Sequence, residues 1–157
     1  MKNRILFVSI LITILSCNSP VQKSETTPAK KPIEGTWKLL TGTLIEKGDT
    51  IVTDYTKGKS FIKIINDDHF AFLTHDLSKG KNADSMFVAG GGGYSFHDSS
   101  YTEHLEYCND RQWEGNDFSF TVTISGDTLI QKGIEKIDSI GVNRLNIEKY
   151  VRLKGKD

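Results

Sequence analysis

The sequence predicts an all-β domain, an antiparallel up-and-down β-barrel of about eight to ten strands. Apolar and polar residues alternate along it, most clearly in Phe118-Ser119-Phe120-Thr121-Val122-Thr123-Ile124, where one face is apolar and the other carries hydroxyls. Turn-formers separate such runs at short intervals: Lys47-Gly48-Asp49, Lys57-Gly58-Lys59, Asn66-Asp67-Asp68, Asp98-Ser99-Ser100 and Ser125-Gly126-Asp127. Residues 33–157 hold every glycine and no proline, and almost no helical periodicity, which leaves no room for crossover helices.

The chain opens with Met1-Lys2-Asn3-Arg4 and continues uncharged from Ile5 to Leu15 before Ser16-Cys17. That is the layout of an export signal. A membrane-spanning helix needs roughly 20 apolar residues, and the polar Asn18-Ser19-Pro20 arrives too early. Ile14-Leu15-Ser16-Cys17 resembles the lipobox of bacterial lipoproteins. The resemblance implies a signal peptide over residues 1–16, cleavage before Cys17, and a lipid-modified Cys17 holding the protein to a membrane of the cell envelope. Asn18 in place of an aspartate agrees with the outer membrane. Two or more acyl chains suffice as an anchor, since each buried methylene contributes about 0.8 kcal/mol.

With Cys17 as anchor, Cys108 has no intramolecular partner, and the fold must stand on its hydrophobic core. The chain has 20 basic and 20 acidic residues, and the export segment carries only Lys2 and Arg4. The mature protein is near neutral, its densest basic cluster is Lys30-Lys31, and nucleic acid is not an expected partner. Residues 17–32 contain all the prolines (Pro20, Pro28, Pro32) among small polar residues and read as lipidated cysteine plus flexible tether. One barrel domain over 33–157 follows.

Within it, strands are expected at Trp37 to Ile45, Thr50 to Tyr55, Ser60 to Ile65, His69 to Thr74, Ser85 to Ala89, Tyr94 to His97, Tyr101 to Tyr107, Phe118 to Ile124, Thr128 to Lys132 and Val142 to Leu153. Gly90-Gly91-Gly92-Gly93 reads as a flexible hairpin or rim loop. Closing such a meander removes its edges, although strand count alone leaves a two-sheet sandwich open.

Gly35-Thr36-Trp37 at the start of the first strand resembles the Gly-x-Trp signature of lipocalins. With Tyr101-Thr102-Glu103-His104, Gly126-Asp127-Thr128-Leu129 and Glu148-Lys149-Tyr150-Val151-Arg152, the pattern over residues 33–153 is similar to small lipocalin-like lipoproteins of the Bacteroidota, a family without an assigned activity. The resemblance implies a calycin-like barrel whose Trp37 plugs one end beneath a late-strand cation, here Arg152. The chain lacks the C-terminal helix and disulfides of classical lipocalins.

In an unbroken strand, Tyr101, Glu103, Leu105 and Tyr107 share a face, which would set Glu103 inside the barrel between two tyrosines. It would serve either as a polar anchor for a ligand or as part of a Tyr–Glu–Arg network that only rigidifies the core. Trp113 is expected either at the rim over a ligand or as a plug of the core. The candidate ligand-binding residues are therefore Tyr101, Glu103, Tyr107, Trp113 and Arg152. His69, His75, His97 and His104 lack metal-ligand spacing, no cofactor motif occurs, and His97-Asp98-Ser99-Ser100 reads as a turn, not a triad. The leading expectation is a non-catalytic envelope lipoprotein binding a small, largely apolar molecule. The others are a packed-interior protein that interacts through its surface, and a barrel enzyme using Glu103 or His104.

Overall fold

The computed structural model describes residues 30–155 apart from Asp84; the export segment, Cys17 and most of the tether lie outside the described residues. Ten strands form one antiparallel sheet: β1 (Gly35–Glu46), β2 (Asp49–Asp54), β3 (Lys59–Ile65), β4 (His69–Asp76), β5 (Phe87–His97), β6 (Ser100–Leu105), β7 (Tyr107–Cys108), β8 (Asn116–Ser125), β9 (Thr128–Ile137) and β10 (Val142–Leu153). Single 3-10 turns occur at Arg111–Trp113 and Asp138–Ile140, and no α-helix is found among the described residues.

Setting β2 and β7 aside, each strand pairs with the next, and β10 returns to β1, from Thr36 opposite Leu153 to Ile45 opposite Leu145. The fold is therefore a closed eight-stranded barrel compatible with a calycin-like fold, not a sandwich. The strand β2 extends β1 beyond β3, in a hairpin turned by Lys47 and Gly48, both at positive φ. The strand β7 adds to β5.

Two bulges set which residues face inward. Along β1, Leu39 pairs with Tyr150 but Thr41 with Lys149, so Leu40 is an extra residue. Trp37 and Leu39 point into the barrel before the bulge, and Gly42 and Leu44 line its cavity after it. A second extra residue, Glu106, separates β6 from β7: Tyr94 lies opposite Glu103, but Gly91 lies opposite Tyr107.

The glycine run is not a loop. It lies inside β5, paired with Phe72 to His69 on one side, and the two expected flanking strands are one. Its glycines are required by close approach: a Cβ on Gly92 would meet the His104 carbonyl at 2.0 Å, and one on Gly90 would meet the Phe72 ring at 2.5 Å.

The base of the barrel is filled. Ile33, Trp37, Leu39, Ile65, Phe70, Tyr94, Tyr101, Val122, Leu129 and Tyr150 are buried there or just above it. The Trp37 indole donates to the Ile33 carbonyl at 2.8 Å, and the Arg152 guanidinium stacks 3.9 Å from the Trp37 ring centroid. Arg152 also donates to the carbonyls of Glu34 (2.5 Å) and Pro32 (2.8 Å), while Lys31 reaches the Asp67 carbonyl. The last residues of the expected tether are thus fastened to the base.

Candidate functional site

The other half of the barrel encloses a cavity of about 510 Å³ that opens at the end opposite Trp37. Its position follows from side-chain size: the inward position of β1 is Gly42 there, whereas at the base it is Trp37. Aromatic side chains form much of the wall. Phe61 stacks on Phe72 at 5.9 Å and meets Tyr55 edge-on at 5.8 Å, and Trp113 packs on Phe118 at 5.8 Å.

The floor is polar. Lys63 of β3, only 4 % exposed, donates to Glu103 of β6 at 2.5 Å and to Gln131 of β9 at 3.1 Å, and its ammonium lies 3.9 Å from Glu148 of β10. The Tyr150 hydroxyl donates to Glu148 at 2.7 Å. Burial alone would push the Lys63 pKa down, but Glu103 and Glu148 together outweigh it and raise it, so the ammonium stays charged. Burial pushes the Glu103 pKa up, against Lys63 and with added repulsion from Glu148. One lysine between two carboxylates explains both directions: two acids hold the ammonium charged, while burial and the second acid disfavour the ionised form of Glu103.

Burial, and then Glu148, also raises the Tyr150 pKa well above its ordinary value. The Tyr101 hydroxyl is buried and makes no hydrogen bond within the protein. Glu103 contributes, after burial, to raising its pKa, but the two groups lack hydrogen-bond geometry. Nearer the mouth, Arg144 pairs with Glu135 at 2.6 Å, Asn146 donates to the same carboxylate at 2.7 Å, and the guanidinium lies 5.0 Å from the Trp113 ring centroid.

Of the residues predicted from sequence, Glu103 and Trp113 line the cavity, Glu103 at its floor and half-buried Trp113 in its wall near the mouth. Tyr101 is fully buried in the core. Tyr107 is not in the barrel: the Glu106 bulge reverses the alternation, leaving Tyr107 67 % exposed and turning Cys108 to the cavity. Arg152 stays at the base on Trp37 and does not line the cavity. Cys17 lies outside the described residues.

The cation beside Glu103 is Lys63 and not an arginine. Lys63, Gln131, Glu135, Arg144, Asn146 and Glu148 are the site residues that sequence reasoning missed. The signal for Lys63 was present in Phe61-Ile62-Lys63-Ile64-Ile65, where alternation with inward Phe61 and Ile65 puts the lysine inside and Ile64 outside, 42 % exposed.

Among the described residues no three His, Cys, Asp or Glu side chains converge as a metal site would require. No protein-family model matches the sequence, and no curated protein is significantly similar to it.

Proposed function

We propose that the protein is a lipoprotein of the cell envelope, lipidated on Cys17 and held at the outer membrane, whose lipocalin-like barrel binds a small, largely apolar molecule without catalysis. The observation that carries this reading is the cavity of about 510 Å³, open at one end and walled by aromatic rings. Small-molecule sites typically occupy roughly 300–1,000 Å³ and combine apolar walls with a few polar groups, as this one does. Gly35-Thr36-Trp37 with Arg152 stacked on the indole supports kinship with the lipocalin-like lipoproteins of the Bacteroidota.

The described chain enters the barrel at its base, where Lys31 and Pro32 are held, at the end away from the cavity mouth, so a tether to a lipidated Cys17 would not obstruct the mouth. Native mass spectrometry of the chain from residue 30 onward, produced in a bacterial periplasm, tests the ligand. A discrete small-molecule adduct that is lost on Glu103→Ala is expected. A clean apo mass after incubation with fatty acids, haem and sterols would refute it.

A second reading, an interaction lipoprotein, is favoured by exposed apolar side chains: Ile51 (62 %) and Val52 (65 %) on β2, and Phe87 (62 %) and Tyr107 (67 %) on the outer face of β5 and β7. A soluble envelope partner captured by the wild type and lost on Ile51→Ser/Val52→Ser would support it.

A further inference from the structure

The cavity carries an unbalanced charge. Lys63 and Arg144 face Glu103, Asp110, Glu135 and Glu148, two cations against four carboxylates. Both cations are already engaged, Arg144 with Glu135 at 2.6 Å and Lys63 with Glu103 at 2.5 Å. Asp110 sits at the exposed rim, where water screens it.

Glu148 is the carboxylate left without a matched cation. Its nearest is Lys63 at 3.9 Å, on the far side of a shorter bond to Glu103. Its side chain is 14 % exposed, so it has lost most of its water. One oxygen, Oε2, accepts from Tyr150 at 2.7 Å, and no protein donor among the described residues reaches Oε1. A partly desolvated carboxylate that shares a more distant cation with a second acid is poorly compensated, and a ligand that brings its own cation relieves that cost. Tyr55 and Phe61 line the same cavity, and the Lys59 ammonium 5.5 Å from the Tyr55 ring centroid already makes the kind of cation–ring contact a cationic ligand would use there. Glu148 is close enough to Tyr55 to help burial raise the tyrosine pKa.

We propose that the cavity selects an amphipathic organic cation, an ammonium or amidinium head on an apolar or aromatic body, with Glu148 as its counter-charge. The proposal rests on the cavity being a ligand site. An anionic head group would meet an excess of carboxylates and would have to displace Glu103 from Lys63 or Glu135 from Arg144.

Titration calorimetry with octylamine, octanol and octanoate separates the possibilities, because the three share a tail and differ in head-group charge. The protein is the chain from residue 30 onward, which contains every strand of the closed barrel and its basal plug. Octylamine should bind about tenfold tighter than octanol, since charge-assisted hydrogen bonds are roughly twice as strong as neutral ones, and octanoate should bind most weakly. Glu148→Gln keeps the size and an acceptor for Tyr150, and should bring octylamine down to the affinity that the same variant has for octanol.

The ranking on the unmodified protein stands whether or not the variant folds. Equal binding of all three would overturn charge selection and leave an apolar-ligand barrel. Tightest binding of octanoate would overturn it in favour of Lys63 as anchor. An octylamine preference that survives Glu148→Gln would remove Glu148 from the role. Binding of none of them by a folded protein would refute the cavity as a ligand site altogether.

Discussion

Replacing Lys63 by methionine tests whether the polar floor is a coupled unit. Methionine matches the length of the lysine stem but removes the ammonium, leaving Glu103, 7 % exposed, facing Glu148 with no cation between them. Removing one partner of a buried ion pair costs about 3–5 kcal/mol, because the other charge stays desolvated and unpaired. Glu103 has an escape, protonation, toward which burial already pushes it.

The sign of the pH effect follows. A carboxyl whose folded-state pKa exceeds its unfolded value binds an extra proton in the native state, so stability falls as pH rises from the unfolded value through the folded one. Lys63→Met should therefore be weakest near neutral pH and recover on acidification. In the wild type the raised Lys63 pKa adds stability that is complete below the ordinary lysine value of 10.5 and is lost as pH rises through the higher folded value. The double variant Lys63→Met/Glu103→Leu should regain most of the loss, since apolar replacements of buried pairs are often neutral. Urea unfolding at neutral and mildly acidic pH, followed by the fluorescence of buried Trp37, measures all three proteins. A single variant that loses less than about 1 kcal/mol at neutral pH, or a double variant no better than the single, would refute the reasoning.

Gly92→Ala should destabilise by about 3 kcal/mol, because its Cβ would lie 2.0 Å from the His104 carbonyl and 2.8 Å from the Glu106 amide. Gly93→Ala, whose nearest contact is 3.4 Å away at the Glu106 carboxylate, should cost under about 1 kcal/mol, and thermal melts compare the two. Arg152→Ala should cost about 2 kcal/mol by removing the cation over Trp37 and two hydrogen bonds to backbone carbonyls, and should shift the tryptophan emission. Asp76 holds the β4–β5 connection by accepting from the Ser78 hydroxyl and the Gly80 and Met86 amides, which lower its pKa to about 2. Its contribution is present above the unfolded value of 3.8 and is lost as pH falls through about 2. Asp76→Ala should speed amide exchange at Gly80 and Met86 at neutral pH.

Alternation made the barrel legible. Phe118 to Ile124 behaves as read, with Phe118, Phe120 and Val122 buried and Ser119, Thr121 and Thr123 exposed. Thr128 was correctly placed as a strand start, but the strand runs on to Ile137 because Gly133, inward beneath Phe120, is a packing glycine and not a breaker. The glycine run of β5 misled for the same physical reason: local conformational freedom suggests a loop, whereas the glycines serve contacts with β4 and the β6–β7 bulge that only the folded barrel supplies. Bulges at Leu40 and Glu106 account for the rest. Each shifts the register by one residue, and neither leaves a mark in composition, which is why Glu103 was placed correctly and Tyr107, four residues later, was not.

The seam between β1 and β10 has a kinetic consequence. It joins the first strand to the last, with Trp37 opposite Arg152, so the longest-range strand pairing among the described residues is also the one that completes the ring. Loop closure over such a separation is slow, and a growing or threading chain cannot make it before β10 has arrived. Until then β1 and β9 each expose an unpaired edge, open to other strands. A chain stopped before Val142 would keep those edges permanently, so loss of β10 should yield aggregates and not a smaller barrel.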